Sequence, residues 1–206
     1  MPLAGRPLLG YALRGALSCP DLHQVVVVAP PEWVQQAREA CRLAAAEHAS
    51  AAPDLEVVAG GAERGDSVAA GLAALDASVD VVLVHDAARC LTPPAVFARV
   101  VAAVEDGAVA VVPGTPVVDT VKQVDASGRV VATPDRAALR AVQTPQGFRR
   151  DVLARAHAVS SEATDDAGLV ERLGEPVLVV DGDRLAFKVT TPDDLDTAAR
   201  LVAATV

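Results

Sequence analysis

The sequence predicts an α/β fold: an open, mostly parallel sheet with helices on both faces and an inserted β-hairpin. Short runs of Val, Leu and Ala alternate along the 206 residues with longer segments of helical periodicity. Hydrophobic residues make up 51% of the chain but aromatic residues only 2%, which is typical of strands covered by helices. At this length we expect one domain, residues 1–206.

The elements follow in order from hydrophobic periodicity and from residues that start and stop helices. Residues 1–5 and 144–148 are expected to form loops. The predicted helices cover residues 7–17, 32–48, 68–75, 94–104, 149–159, 167–173 and 192–203. The predicted strands are short apolar runs at residues 25–29, 55–58, 81–84, 108–113, 177–181 and 185–189.

Two helix starts carry recognisable capping residues. Thr191, followed by a proline and two acids, is a strong start for the last helix. Asp66 or Ser67 is expected to cap the helix that follows Gly60 and Gly61. A glycine-rich turn that opens a helix is also a potential anion-binding site, although many such turns only connect elements.

A protruding β-arm is predicted over residues 117–136. Imperfect alternation over residues 117–124, turn residues at 125–128 (DASG) and extended sequence at 129–132 indicate a hairpin. A two-stranded ribbon is marginally stable alone. We therefore expect the arm to pack on its own domain or to reach a second subunit.

Composition excludes several classes of function. A net charge of −9 argues against a broad nucleic-acid surface. Cys19, Cys41 and Cys90 are odd in number and lack metal-ligand spacing, which favours a reduced cytoplasmic protein without disulfides or zinc. Apolar runs stay short of the ~18 residues of a membrane helix, so no membrane partner is expected.

The residues most suited to chemistry follow the apolar strand at 81–84. Asp86 and Arg89 come just after it, where open parallel sheets bind ligands. His85 is expected to be structural, because neighbouring residues of a strand point to opposite faces. One carboxylate with scattered cations suits phosphoryl or nucleotidyl transfer, in which Mg²⁺ is held by a carboxylate and substrate phosphates. A strand-end Asp that caps a turn is the alternative.

The order of motifs resembles the 2-C-methyl-D-erythritol 4-phosphate cytidylyltransferase family of the non-mevalonate pathway of isoprene biosynthesis. The resemblance covers nearly the whole chain and implies a Rossmann-like transferase fold. The matching segments are residues 2–9 (PLAGRPLL), 60–68 (GGAERGDSV), 84–89 (VHDAAR), 119–122 (DTVK), 135–136 (DR), 143–146 (QTPQ), 164–166 (TDD) and 188–195 (KVTTPDDL).

The resemblance implies a nucleotide site. The family forms a CDP-linked methylerythritol and pyrophosphate from CTP and methylerythritol phosphate. By its pattern, Gly61 and Ser67 help to hold the cytosine, Ala87 lies near the ribose, and Asp86 binds Mg²⁺.

The resemblance also implies a phosphate site shared between subunits. Arg136 and Lys188 would grip and aim the methylerythritol phosphate as catalytic residues, with Thr120 assisting. The family is a homodimer, so Thr120 and Arg136 on the arm would complete a neighbour's pocket.

The match departs from the family at its start. Such enzymes open with a buried strand, a glycine-rich CTP loop and a Pro-Lys pair, and Met1 falls just after that point. We hypothesise a shortened reading of a longer gene and expect weak CTP binding and poor turnover. Cys90 stands where Pro is usual, which we expect to affect only the loop.

Three other functions compete with this one. The first is a cytidylyltransferase of the same fold that acts on ribitol 5-phosphate. The second is an inactive, truncated nucleotide-binding dimer. The third, an NAD-dependent dehydrogenase, lacks a G-x-G-x-x-G fingerprint after a strand.

Overall fold

The computed structural model describes residues 2–19, 22–48, 53–159 and 163–204, and within these ranges it has an α/β architecture. The strands are β1 (Pro2–Leu3), β2 (Arg6–Pro7), β3 (Gln24–Ala29), β4 (Asp54–Ala59), β5 (Val81–Val84), β6 (Ala110–Pro116), β7 (Gln123–Val124), β8 (Val130–Ala132), β9 (Arg140–Val142), β10 (Gln146–Arg149) and β11 (Leu178–Asp181). The helices are α1 (Leu8–Leu17), α2 (Val34–Glu47), α3 (Arg64–Ala74), α4 (Pro94–Glu105), α5 (Arg150–Val159), α6 (Asp166–Arg172) and α7 (Pro192–Ala203).

The main sheet has the strand order β11-β6-β10-β5, with β9 paired to the far end of β6. β11 runs parallel to β6, whereas β10 lies antiparallel between β6 and β5. β3 and β4 form a separate parallel pair. The predicted α/β class is confirmed, and β10 makes the main sheet mixed.

The prediction of a loop over residues 144–148 is wrong, because Gln146–Arg149 forms the central strand β10. The sequence QGFR has neither a run of apolar residues nor a clean alternation, so its pattern predicts no strand. Its pairing on both sides with β5 and β6 determines the structure, and Phe148 is fully buried there.

Strand β5 is less buried than its apolar sequence predicts. Val82 is buried, but Val81, Leu83 and Val84 are partly exposed. Within the described residues β5 pairs only with β10, which makes it an edge strand. Its free edge explains the partial exposure.

Helices cover both faces of the main sheet, as predicted. α4 packs on one face, where Val100 and Val104 meet Val111 of β6. α5 and α6 cover the other face around Leu153 and Phe148. The separate pair β3–β4 packs against α1 and α2.

Helix α3 bridges the two sheets. Leu72 of α3 and Leu75, just after the helix, pack against the main core, while Gly71 lies against Val28 of β3. Its start is capped by Glu63, whose side chain accepts the N–H of Asp66 while the Asp66 side chain accepts the N–H of Glu63. The prediction that Asp66 or Ser67 is the cap is therefore wrong by three or four residues, because this reciprocal pair begins the helix earlier.

Two other predictions near the chain ends need correction. Residues 2–7 form the tight β1–β2 hairpin instead of a loop, while Met1 lies outside the described residues. The strand predicted at 185–189 is absent, because Arg184–Ala186 forms a 3₁₀ turn capped by Asp183. The start of α7 is confirmed: Thr191 and Asp194 form a capping box.

The arm is a hairpin in which β7 and β8 pair with each other. Asp125 shapes its turn by accepting the backbone N–H groups of Ser127 and Arg129. Within the described residues neither arm strand joins another strand, and Val124, Val130 and Val131 are exposed.

Among the described residues, no α-helix combines the length and the apolarity that crossing a bilayer requires.

The central position of β10 predicts a steric requirement for glycine at residue 147. A Cβ there would lie 2.4 Å from Val100 Cγ1 and 3.1 Å from Leu83 Cδ2. Gly147→Ala should lower the free energy of unfolding by roughly 1 to 3 kcal/mol, because overpacking displaces α4. Urea denaturation measures the change.

Gly10→Ala is the matched control, because a Cβ on Gly10 would meet nothing within 4 Å. In a helix it should be neutral or stabilising. Equal stability of Gly147→Ala and the parent protein would contradict the packing of β10 under α4.

Candidate functional site

Three segments meet at one edge of the main sheet. The loop that carries Asp86 follows the carboxyl end of β5, and Thr144 precedes β10, whose first residue Gln146 pairs with Val84. Lys188 follows the 3₁₀ turn after β11. Because β10 is antiparallel, its start lies at the same edge as the ends of β5 and β6. This is the edge at which the sequence predicts a ligand.

Asp86 is the centre of this cluster. Its Oδ2 lies 3.1 Å from Lys188 Nζ and 3.6 Å from Arg89 Nε. Its backbone N–H donates to Thr144 Oγ1 at 3.0 Å. The Asp86 side chain is 24% exposed and that of Lys188 48%. The structure therefore brings the predicted acid and cations together at a surface that a ligand can reach.

Arg89 ties together the segments on either side of the site. Its Nη1 donates to Ala186 O at 2.8 Å and its Nη2 to Val142 O at 3.4 Å. Burial lowers the pKa of the guanidinium, while Asp86 acts in the opposite direction. Arg89 thus connects the Asp86 loop with the turn before Lys188 and with the end of β9.

Gln143 anchors the turn before Lys188 from the other side. Its Nε2 donates to Asp183 O at 2.7 Å, and its Oε1 accepts the N–H of Asp183 at 3.0 Å. Val189, next to Lys188, donates its N–H to Ala88 O at 2.9 Å. Lys188 therefore projects from a segment held at both ends. The sequence predicts no role for Gln143 beyond its place in the QTPQ motif, because its partner Asp183 is distant in sequence.

His85 is a neutral supporting residue. Its Nδ1 lies 2.9 Å from Thr144 Oγ1, and its ring lies 5.0 Å from that of Phe97. Its Nε2 is buried. Burial, opposed by the charge of Asp86, lowers the pKa of His85 to about 4. The imidazole carries no charge at neutral pH, in agreement with its predicted structural role.

The glycine-rich loop of residues 60–67 opens α3, and its positions 60 and 61 leave no room for a Cβ. A Cβ on Gly61 would lie 2.2 Å from the Cβ of Asp66, and one on Gly60 would lie 2.7 Å from Ser67 Oγ. The Ser67 hydroxyl donates to Glu63 O at 3.2 Å. This close packing leaves Gly61 exposed beside the start of a helix, where backbone N–H groups favour electron-rich ligand atoms.

Thr120 and Arg136 lie apart from this cluster, on the arm. Both are exposed, and Arg136 Nη1 donates to Val118 O at 2.6 Å. In the described parts of the chain no hydrogen bond or ion pair joins either residue to Asp86 or Lys188. Ala87 is exposed in the turn directly after Asp86.

The cluster fits a metal ion that takes one ligand from the protein and most of its other ligands from substrate phosphates and water. Across the part of the chain that the structure describes, no three His, Cys, Asp or Glu side chains gather as a metal cage would. A single partly exposed carboxylate, that of Asp86, suits Mg²⁺, which keeps several waters and takes further ligands from phosphates. Burial raises the pKa of Cys41 and Cys90, so neither thiol is a ready ligand.

Chemically, the arrangement suits the binding of anions. Lys188 and Arg89 offer positive charge beside a carboxylate, and the helix start at residues 60–67 offers backbone donors. The site can therefore hold charged groups in place and reduce the repulsion between them.

Comparisons with known proteins relate the chain to one family. Residues 1–204 match the family described as 2-C-methyl-D-erythritol 4-phosphate cytidylyltransferase. A protein of that name from Nocardia farcinica is 54% identical over 202 residues, which cover 98% of this chain and 84% of the relative. One from Frankia casuarinae is 52% identical, and the match covers 98% of this chain and 72% of that protein.

Solved structures show the same fold. The cytidylyltransferase of this name from Thermus thermophilus is 37% identical, with a TM-score of 0.77, and the match covers 98% of this chain and 91% of that one. The 4-diphosphocytidyl-2C-methyl-D-erythritol synthase from Anaerococcus prevotii is 26% identical, with a TM-score of 0.87 and coverage of 98% and 92%.

The low pKa of His85 predicts a loss of stability in acid. The unfolded chain protonates His85 below about pH 6.5, but the folded protein does so only near pH 4. The stabilising preference for the neutral ring is therefore complete above pH 6.5 and is lost as the pH falls towards 4. Between pH 7 and 4.5, the free energy of unfolding should fall more steeply for the parent protein than for His85→Asn, by roughly 1 to 3 kcal/mol.

Chemical denaturation at each pH measures this difference. His23→Asn, which removes an exposed imidazole, is the control. Identical pH dependence of His85→Asn and the parent protein would show that His85 titrates normally in the fold.

Proposed function

The chain belongs to the 2-C-methyl-D-erythritol 4-phosphate cytidylyltransferase family, and we propose that the Asp86–Lys188 cluster is where it carries out the reaction of that family. The protein is a nucleotidyltransferase of isoprenoid precursor synthesis. It joins the cytidylyl group of CTP to 2-C-methyl-D-erythritol 4-phosphate and releases pyrophosphate. The observation that carries the proposed site is the 3.1 Å contact between Asp86 and Lys188 at the ligand-binding edge of the sheet.

The reaction is a displacement at phosphorus. An oxygen of the methylerythritol phosphate bonds to the α-phosphorus of CTP, and the bond from that phosphorus to the β-phosphate oxygen breaks. Pyrophosphate leaves with the electron pair. A phosphate monoester with its second pKa near 6 is largely dianionic at neutral pH, so no general base is needed. The barrier comes from bringing two anions together, which fixed cations reduce.

Lys188 would bind the methylerythritol phosphate. In the free protein its ammonium group pairs with Asp86. The phosphate would take over that ammonium and leave the Asp86 carboxylate for Mg²⁺. Bound Mg²⁺ would neutralise charge on the CTP phosphates. The pair is partly exposed, so water can reach both groups during this exchange.

The nucleotide would lie along the loop of residues 60–67 and the Asp86 turn. Gly61 and Ser67 would hold the cytosine, and Ala87 would border the ribose. The close packing of Gly61 on Asp66 and the position of Ser67 in the first turn of α3 support these roles.

We propose a homodimer in which the arm completes the partner's site. The arm pairs only with itself among the described residues and exposes Val118, Val130 and Val131, which favours burial against a second copy. Arg136 and Thr120, on the same arm, would then reach the partner's substrate phosphate beside its Lys188.

The same proposal includes the identity of the substrate, the activity of the protein and its location. The names of the relatives favour methylerythritol phosphate over ribitol 5-phosphate. The contacts of Asp86 with Arg89 and Lys188 argue against an inactive nucleotide-binding dimer. A cytoplasmic location stays a prediction for this chain, which the odd number of cysteines without metal-ligand spacing favours.

Loss of the Lys188 charge should weaken the use of methylerythritol phosphate. For Lys188→Ala we expect kcat/KM for this substrate to fall by about tenfold or more, with a smaller change in KM for CTP. Pyrophosphate release at varied concentrations of each substrate measures both.

Arg38→Ala is the control, because Arg38 is an exposed cation on α2, which packs against the other sheet. Equal kinetics for Lys188→Ala and Arg38→Ala would show that Lys188 does not bind the substrate phosphate. Ribitol 5-phosphate in parallel assays tests the sugar: equal or faster turnover with it would overturn the assigned substrate.

A charge on the apolar arm should break the dimer and the activity together. For Val131→Glu we expect a monomer in analytical ultracentrifugation and a fall in kcat/KM for methylerythritol phosphate of about tenfold. Val159→Glu, which places the same charge at an exposed valine of α5, is the control and should leave both unchanged. A fully active Val131→Glu monomer would contradict the shared site.

A further inference from the structure

A buried ion cluster lies beside the proposed nucleotide loop and has no part in the chemistry described above. Asp166, at the start of α6, is 0% exposed. Its Oδ2 accepts Arg64 Nη2 at 2.5 Å, and its Oδ1 accepts His157 Nε2 at 2.9 Å. Because a carboxylate oxygen can only accept, the imidazole donates through Nε2. One buried acid thus joins α3, α5 and α6.

The carboxylate is ionised despite its burial. Burial by itself would raise the pKa of Asp166, but the hydrogen bonds from His157 and Arg64 outweigh it, and the pKa is lowered. An unpaired charge at a fully buried position would be strongly destabilising. Arg64 is therefore bound to this point in the fold as long as the chain is folded and Asp166 is charged.

Arg64 occupies the first position of α3, within the loop of residues 60–67. Its side chain is 42% exposed, so only part of the guanidinium is used by Asp166. Burial lowers the pKa of Arg64, but the hydrogen bond to Asp166 and the charges of Asp166, Asp86 and Asp165 outweigh burial, and the pKa is raised. The charge of Asp86, the proposed metal-binding carboxylate, therefore acts on Arg64 as well.

Asp166 is itself held rigidly to the catalytic edge of the sheet. Gln146, the first residue of β10, donates from Nε2 to Asp165 Oδ2 at 2.7 Å and accepts the N–H of Ala167 at 3.2 Å. Gly168 N–H donates to Asp165 Oδ1 at 3.0 Å. The start of α6 is thereby fixed to β10, two residues beyond Thr144. Because Arg64 donates to Asp166, the glycine-rich loop is also linked to the start of α6.

We propose that Asp166 is a positioning residue for the nucleoside triphosphate: through Arg64 it holds residues 60–67 at a fixed distance from Asp86. The inference rests on the proposed nucleotide-binding role of that loop. Gly61 and Ser67 cannot present a preformed surface to the cytosine if α3 shifts relative to β5. If the loop is already ordered in the free protein, the free energy of CTP binding is not reduced by the cost of ordering it.

The test is Asp166→Asn, which keeps the shape and removes the charge. We expect KM for CTP, and Kd for CTP in calorimetry, to rise about tenfold, while KM for methylerythritol phosphate changes less than about twofold. Asp151→Asn is the control, because it removes the charge of an exposed acid on α5 that pairs with Arg149 of β10. It should leave both constants at the parent values.

Arg64→Gln keeps the inference testable if Asp166→Asn does not fold, because Arg64 is partly exposed. It should raise Kd for CTP to a similar extent. The double variant should have a Kd for CTP no higher than that of the single variant with the higher Kd, since both changes break the same contact between Asp166 and Arg64. Unchanged CTP affinity in either folded variant would overturn the inference, and so would an equal rise in both KM values.

Gly61→Ala separates this inference from the proposed function. If Gly61→Ala weakens CTP binding and Asp166→Asn does not, the loop binds the nucleotide and Asp166 does not position it, which overturns the inference alone. If neither change affects CTP binding, the nucleotide-binding role of the loop is wrong as well.

Discussion

The ion pair between Asp86 and Lys188 is the interaction on which the site depends. The two residues come from distant parts of the chain and meet 3.1 Å apart at one edge of the main sheet. Strand β5 delivers the acid, and the turn after β11 delivers the cation. Thr144, Arg89 and Gln143 fix the segments that carry them. These supports are hydrogen bonds to backbone groups, which hold a loop more firmly than a surface ion pair does.

The degree of burial separates this pair from the Asp166 cluster. Asp86 and Lys188 are partly exposed, so water and phosphates can replace either partner at modest cost. Asp166 is fully buried between His157 and Arg64, where removal of one partner leaves a charge without solvation. The exposed pair is suited to exchange during a reaction, and the buried cluster is suited to hold its surroundings still.

Sequence patterns predict the elements that depend on residues close together in the chain. The apolar run before Asp86 and the Thr191 cap are of this kind, and so is the hairpin turn at Asp125. Strand β10 escaped prediction because QGFR becomes a strand only between β5 and β6. The closeness of Asp86 to Lys188 came from a resemblance to a family, since no periodicity relates residues so far apart. The contacts of Gln143 and Asp166 are equally non-local, and pattern alone could not reveal them.

The most direct test of the account is a double-mutant cycle of Asp86→Asn and Lys188→Met, read as the initial rate of pyrophosphate release from CTP and methylerythritol phosphate. If the two residues assemble one site, the loss of either already separates the reacting phosphates. The rate of the double variant should then fall little below that of the slower single variant. Losses that multiply in full would show that Asp86 and Lys188 act independently, and would contradict the account.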